Sequence, residues 1–310
     1  MSRLNPLGGL QEVRPDVARV LLVLVNAYML GERGGPWVMV DAGMPRTANI
    51  LLRLARERFG GRPPEAIVMT HGHFDHVGAL RELADTWDVP ILAHPLELPY
   101  LTGRSAYPPP DPTVGGGLMA LSSPLFPPGP FDFSPRVRAL PADGSVPGLP
   151  GWRWIHTPGH SPGHVSLWRA SDGTLVAGDA FVTTPQESML GALTQFPQEV
   201  RRPPAYYTPD WTAARASVER LAALEPVVAA TGHGTPMWNE LLRAELRVLA
   251  RRFDELARPR HGRYAFRAPV VDEGGVRDLP PPLPADPKRP RRVGVALAGL
   301  GLLFWLLRRS

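Results

Sequence analysis

Four side chains of the types that bind metal ions lie within six residues of this chain. The stretch THGHFDHVG at residues 70–78 carries His71, His73, Asp75 and His76. Alternate residues of an extended segment point the same way, so His71 and His73 can reach one metal ion. Asp75 and His76 then turn towards a second position beside it. Imidazole and carboxylate together suit Zn²⁺, with iron and manganese as competitors, so the motif predicts a metal centre.

Three His and one Asp cannot complete two metal sites, and the best additional ligands follow other apolar runs. They are His160 in HTPGHSPGH, Asp179 in LVAGDA and His233 in AATGHGTP. Each lies beside a glycine, which allows the backbone to approach a buried ion closely. His156 and His164 adjoin strand-like runs, which favours supporting roles over ligation.

The composition narrows the chemistry further. The chain has 310 residues, 44% of them hydrophobic, enough for one large domain or two small ones. It contains no cysteine, which excludes thiolate zinc sites, iron–sulfur clusters, cysteine nucleophiles and disulfides. The formal net charge is +5, and six basic residues flank the apolar segment near the C-terminus, so these six alone account for the positive excess. The basic excess therefore points to an anionic membrane surface rather than to nucleic acid.

Apolar runs and helical periodicity predict the elements that position these residues. Strands are predicted at residues 18–28, 37–40, 66–69, 91–93, 152–156, 165–168, 174–177 and 227–230. Helices are predicted at residues 47–59, 77–86, 211–224 and 236–257. The alternation of strands and helices indicates the α/β class.

Composition also divides the chain into segments. Residues 1–277 are predicted to form one catalytic domain. Within it, the Pro/Gly-rich segment 94–151 predicts a lid over the site, with a solvated insertion as the alternative. Residues 278–292 are rich in Pro and Arg and predict an extended linker.

The last segment, residues 293–307, reads VGVALAGLGLLFWLL and carries no charge. A helix of this length spans about 22 Å, short of the roughly 30 Å hydrocarbon core, but flanking Arg side chains can snorkel and extend it. We expect an apolar C-terminal helix that anchors the protein to a membrane; docking on the domain or on a second subunit is the alternative. The start of the chain lacks a secretory signal pattern, which predicts a cytoplasmic catalytic domain.

With these motifs together, the sequence resembles the metallo-β-lactamase superfamily over nearly all of residues 1–277. The resemblance is carried by THGHFDHVG at 70–78, TPGHSPGHVSL at 157–167, GDA at 178–180 and TGHG at 231–234, with VDAG at 40–43 as an early element. It implies an αββα sandwich with two zinc-type sites at the strand ends.

The resemblance also implies how the ligands divide. One metal ion would be held by His71, His73 and His160, the other by Asp75, His76 and His233, with Asp179 bridging them. Asp41 would orient a ligand histidine, with a simple turn carboxylate as the alternative role.

Such a site implies a dinuclear zinc-dependent hydrolase that uses a metal-bound hydroxide. Asp75 would hold this hydroxide by a hydrogen bond and pass a proton onward. The small-molecule substrate is predicted to be a carboxylic ester, lactone or thioester, because several candidate pocket residues are apolar or aromatic. They are Leu98, Tyr100, Leu101, Tyr107, Leu118, Tyr206, Tyr207 and Trp211. Ordinary core packing is the alternative for each of them.

Other functions stay open at this stage. The same fold could carry a mononuclear non-haem iron redox enzyme that uses His71, His73, His160 and Asp179. A phosphodiester or β-lactam hydrolase and a metal-stabilised binding protein are further alternatives.

Overall fold

A computed structural model describes residues 8–283. Its strands are β1 (Leu10–Arg14), β2 (Val17–Leu22), β3 (Val25–Leu30), β4 (Val38–Val40), β5 (Ile67–Val68), β6 (Ile91–Ala93), β7 (Val137–Ala139), β8 (Trp152–His156), β9 (Val165–Arg169), β10 (Thr174–Gly178), β11 (Val228–Thr231), β12 (Met237–Trp238), β13 (Val270–Asp272) and β14 (Gly275–Asp278). Its α-helices are α1 (Ala48–Phe59), α2 (Leu80–Trp87), α3 (Leu98–Leu101), α4 (Leu118–Ser122), α5 (Met189–Thr194), α6 (Trp211–Ala222), α7 (Asn239–Arg251) and α8 (Phe253–Leu256).

The first sheet contains β1 to β7 in chain order. Strands β1 to β4 pair antiparallel, whereas β4 to β7 pair parallel. Val40 of β4 lies opposite Val68 of β5, so the two strands end at the same edge. The segments that follow them, with Asp41 and His71, are therefore brought side by side.

The second sheet has the order β12-β11-β10-β9-β8. Its one parallel pair is β10 with β11, where Gly178 lies opposite Thr231. Asp179 and His233 follow the ends of these strands and so emerge at one edge of the sheet. A separate hairpin is formed by β13 and β14.

Three buried apolar clusters stack these elements into an αββα sandwich. Between the two sheets, Tyr28 and Val68 share a cluster with Leu167 and Val176. A second cluster packs α1 and α2 on the outer face of the first sheet. A third packs α6 and α7 on the outer face of the second sheet. The predicted α/β class and the four-layer sandwich are confirmed.

The prediction of one strand at 18–28 was wrong, because the chain turns between β2 and β3. Val23 adopts a left-handed backbone with φ of 68°, and residues 17–30 form an antiparallel hairpin. The turn carries no polar signal since Leu24 is itself buried in an apolar cluster. The turn could not be predicted because the apolar run continues through it.

The helix predicted at 236–257 was also wrong at its start. Met237 pairs with Ala229 in β12, and α7 begins only at Asn239, where φ is 57°. The helix is then interrupted at Arg252 before α8. The other predicted strands and helices occur at their predicted places, with ends shifted by no more than three residues.

The segment 94–151 is more regular than its composition indicates, since it contributes α3, α4 and the edge strand β7 to the fold. Its action as a lid stays a prediction. Among residues 8–283, none of the helices is both long and apolar enough to cross a bilayer. The apolar segment predicted at 293–307, and all of the predicted linker beyond residue 283, lie outside the described residues.

Candidate metal centre

The seven predicted ligands lie together where strands of both sheets end. They form three overlapping groups of three, and in each group the ligand atoms lie within 4.8 Å of one another. One of them, His71, His76 and Asp179, shares a histidine with each of the other two. The first group, called here the three-histidine group, is His71, His73 and His160. The second, called the aspartate group, is Asp75, His76 and His233.

Asp179 lies between the two groups. Its Oδ2 atom is 3.4 Å from Nε2 of His160, 3.6 Å from Nε2 of His76 and 3.1 Å from Nε2 of His233. Burial disfavours the ionised form of Asp179, but His233 and His76 hold the pKa of this carboxyl well below its usual range. A buried carboxylate is thus shared by both halves of the site.

Two histidines of the aspartate group have their outer nitrogens fixed by strong acceptors. Nδ1 of His233 lies 2.7 Å from the carbonyl oxygen of Leu24, which can only accept. Nδ1 of His76 lies 2.8 Å from Oδ2 of Asp41. In both rings Nδ1 therefore carries a proton, and Nε2 is the nitrogen that faces the centre.

Two rings of the three-histidine group also carry a proton on Nδ1. The Thr70 hydroxyl donates to Asp41 Oδ2 at 2.7 Å, so it accepts from Nδ1 of His71 at 3.0 Å. The Thr208 hydroxyl donates to the Pro204 carbonyl, so it accepts from Nδ1 of His160 at 3.2 Å. Nε2 of each ring is left as a lone-pair donor.

The inward-facing atoms are what a pair of cations requires. Within the described part of the chain, Nε2 of His71, Nε2 of His76 and Oδ1 of Asp179 are buried without a hydrogen-bond partner. Nδ1 of His73 faces Nε2 of His160 at 3.0 Å. Buried polar atoms without partners are costly unless an ion satisfies them. The buried His and Asp clusters therefore indicate a dinuclear metal site.

The electrostatics separate the two groups. Burial, reinforced by neighbouring histidines, lowers the pKa of His71 and His73 well below the usual value and that of His160 to about 3. These rings are neutral, as metal ligands must be. Burial also opposes the charged form of His76, but the carboxylates of Asp41 and Asp179 raise its pKa well above the usual range.

Asp41 joins the ends of β4 and β5. Its Oδ1 atom accepts from the Thr70 backbone N–H at 2.7 Å, and its Oδ2 atom accepts from the Thr70 hydroxyl and from His76. It is 2% exposed and has a left-handed backbone with φ of 59°. These contacts orient the His76 ring directly and the His71 ring through Thr70.

One supporting carboxylate was missed from the sequence. Glu97, between α3 and the end of β6, is fully buried and contacts both loops of the three-histidine group. A signal was available, since a single acid interrupts the otherwise apolar stretch PLELPYL at 95–101. Its partners lie too far along the chain to be found by spacing.

The site opens on one side. The side chain of Asp75 is 15% exposed, whereas those of His76, Asp179 and His233 are no more than 2% exposed. Phe74 beside it is also partly exposed. The aspartate group is therefore exposed to solvent on the side of Phe74 and Asp75.

An apolar wall borders this opening. The Tyr207 ring stacks on His73 with ring centroids 4.3 Å apart, and Phe74 stacks on Phe126 at 5.1 Å. Leu24, Met119 and Tyr206 belong to the same cluster. Of the other predicted pocket residues, Tyr107 contacts His73, and Tyr100 stacks on Tyr107. Leu101 and Trp211 are buried in the apolar clusters on the outer faces of the two sheets, and Leu98 packs against the first of these clusters. These three residues therefore belong to the core.

An αββα sandwich with a buried His/Asp centre at its strand ends defines a class of metal-dependent hydrolases. The pattern of the metallo-beta-lactamase superfamily matches residues 21–233, and the chain belongs to this superfamily. It is similar to the probable metallo-hydrolase YflN of Bacillus subtilis, with 46% identity over 79% of this chain and 94% of that protein.

Solved structures agree with this assignment. The B3 metallo-beta-lactamase BLEG-1 is 28% identical, with a TM-score of 0.50 over 70% of this chain and 90% of that one. A beta-lactamase domain protein from Burkholderia ambifaria is 21% identical, with a TM-score of 0.56 over 82% of this chain and 77% of that one, and shares the fold. The chain is a metal-dependent hydrolase.

Proposed function

We propose that this protein is a dinuclear zinc hydrolase of carboxylic esters, lactones or thioesters, with iron and manganese as the competing metals. The observation that carries the proposal is the arrangement of seven ligand side chains in two groups that share Asp179. His and carboxylate ligands without thiolate are compatible with all three metals, and zinc is the best match to a hydrolytic site rich in His.

Two of the ligand groups support a division of the ligands between two cations. The three-histidine group would hold one cation, the aspartate group the other, and Asp179 would contact both. When bound, two adjacent cations would activate a water molecule near neutral pH and polarise a substrate carbonyl.

Asp75 is proposed to handle the proton. It is the most exposed of the ligand carboxylates, and its Oδ2 atom lies 3.5 Å from Nε2 of His233. From this position its carboxylate would accept a hydrogen bond from the attacking water and later pass the proton to the leaving group. The loop that carries Asp75 is closed by the His73 backbone carbonyl, which accepts from the backbone N–H groups of His76 at 2.9 Å and Val77 at 3.1 Å.

The apolar wall supports an acyl substrate. Phe74, Phe126 and Tyr207 would contact an alkyl or aryl chain, while a highly charged phosphate would find no cationic partner among these residues. The Tyr207 hydroxyl is buried without a partner in the described residues. A substrate oxygen would satisfy it.

A substrate panel tests the proposal. The zinc-loaded full chain is assayed with p-nitrophenyl esters of increasing acyl length, γ- and δ-lactones, an acyl thioester, bis(p-nitrophenyl) phosphate and a chromogenic β-lactam. We expect acyl substrates to be hydrolysed and kcat/KM to rise with acyl length. Activity confined to the phosphodiester or to the β-lactam would overturn the substrate class.

Variants and metal content complete the test. Asp75→Asn is expected to lower kcat/KM by about 10²- to 10⁴-fold, as for loss of a general base. Asp88→Asn is the matched control, because that carboxylate is 86% exposed on the surface. Metal analysis of protein from unsupplemented cells should give two zinc ions per chain. One iron and little zinc would contradict the dinuclear zinc assignment.

A further inference from the structure

Glu97 is a fully buried acid that is not one of the seven ligands. It ends the 3₁₀ turn Pro95–Glu97, directly before α3, in the segment 94–151. Burial raises the pKa of Glu97 to about 6, against the effect of four hydrogen bonds from Ser161, Tyr107, Gly163 and Gly72. Above that pH Glu97 is a carboxylate, and its two oxygens accept these four hydrogen bonds.

One oxygen of Glu97 holds the loop between two ligands. Oε2 accepts from the backbone N–H of Gly72 at 3.1 Å, and Gly72 separates His71 from His73. The Tyr107 hydroxyl also donates to Oε2 and accepts from Gly72 N–H at 2.9 Å. The spacing of these two histidines is thus tied to one buried atom.

The other oxygen holds the loop after the third ligand. Oε1 accepts from the Ser161 hydroxyl at 2.6 Å and from the Gly163 backbone N–H at 2.8 Å. Both residues follow His160 closely. A Cβ atom at Gly163 would lie 2.7 Å from the Glu97 backbone nitrogen, so the two segments are in close contact.

The aspartate group has different supports. His76 is held by Asp41, and His233 is held by the Leu24 carbonyl. Its two histidines thus donate to the residue that follows β4 and to the β2–β3 turn, whereas one carboxylate joins both loops of the three-histidine group.

We propose that Glu97 is a positioning residue that sets the metal affinity of the three-histidine group and leaves that of the aspartate group unchanged. The inference rests on the proposed two-metal centre. Outer contacts of this kind change metal affinity by about 10- to 100-fold when removed. An amide of the same shape could accept at only one of the two oxygen positions, so two of the four donors would lose their acceptor.

The experiment measures Co²⁺ affinity and the Co²⁺ absorption spectrum of the full chain. His76→Ala isolates the three-histidine group, and His73→Ala isolates the aspartate group. Glu97→Gln is then added to each. We expect affinity to fall about 10- to 100-fold in the His76→Ala background and to stay within about threefold in the His73→Ala background.

Ser161→Ala is the second variant, since it removes one donor and leaves Glu97 in place. Loss of one hydrogen bond predicts a decrease of about 2- to 13-fold, again only at the three-histidine group. Equal weakening of both groups by Glu97→Gln and by Ser161→Ala, or no weakening, would overturn the inference. A chain that binds two cobalt ions with the expected selectivity but hydrolyses no acyl substrate would overturn the proposed function alone.

Discussion

The Nε2 atom of His164 accepts a 2.9 Å hydrogen bond from the backbone N–H of Asp179. Nδ1 of the same ring donates to the Thr157 hydroxyl at 2.8 Å, which lies 3.0 Å from the Ser166 hydroxyl. Ser166 donates to the Ala177 carbonyl at 2.9 Å. A buried chain of hydrogen bonds therefore returns to β10 and fixes the backbone that presents the shared carboxylate.

His164→Ala should destabilise the metal-free protein by about 1–3 kcal/mol, because the Asp179 N–H would lose its buried acceptor. Urea unfolding of the metal-free chain measures this. His261→Ala is the control, since His261 is exposed. Equal unfolding midpoints for the two variants would show that the bond to Asp179 contributes little.

Asp41→Asn should weaken metal binding at the aspartate group by about 10- to 100-fold. An amide has one acceptor oxygen, so it cannot accept both from the Thr70 backbone N–H at the Oδ1 position and from His76 at the Oδ2 position. Cobalt titration in the His73→Ala background isolates that group. Asp88→Asn serves as the exposed control. An unchanged affinity would mean that the His76 ring is oriented without Asp41.

Gly232→Ala should abolish tight metal binding by steric intrusion. A Cβ atom there would lie 2.0 Å from Oδ1 of Asp179 and 3.0 Å from Cε1 of His76. Gly35→Ala is a milder counterpart, with its nearest atom, the Glu32 carbonyl oxygen, at 3.3 Å. Competition with a chelator measures affinity, and circular dichroism verifies the fold. Retention of wild-type affinity would contradict the placement of Asp179 against this loop.

The His94 ring stacks on His156 with centroids 4.0 Å apart and an angle of 11°. Burial and then the neighbouring His156 lower the pKa of His94 to about 4. An unfolded histidine titrates near 6.5, so the unfolded chain binds more protons at this residue between about pH 6.5 and 4. This contribution to stability is present above about pH 6.5 and is lost as the pH falls through 4.

An NMR titration of the His94 ring checks this prediction, with the resonance assigned by its loss in His94→Gln. We expect a midpoint near pH 4 in the folded protein. A midpoint near 6.5 would show that the ring is solvated rather than stacked.

The part of the metal centre that lies within one loop could be predicted from the sequence. The spacing of His71, His73, Asp75 and His76 places four candidate ligands in one loop, and apolar runs located the strands before it. The turn at Val23 and the short strand β12 could not be read in this way, because buried turns and two-residue strands have no distinctive periodicity.

By itself, the sequence determined the superfamily, the α/β class and the seven candidate ligands, because each ligand lies in a short motif that directly follows an apolar run. Only the tertiary structure decided which contacts support them. Leu24 and His233 lie 209 positions apart, and Glu97 meets Gly72 and Gly163 at separations of 25 and 66. Such pairs form because parallel strands end at the same edge of a sheet and because the two sheets pack face to face. Neither relationship can be read from the separation of two residues along the chain.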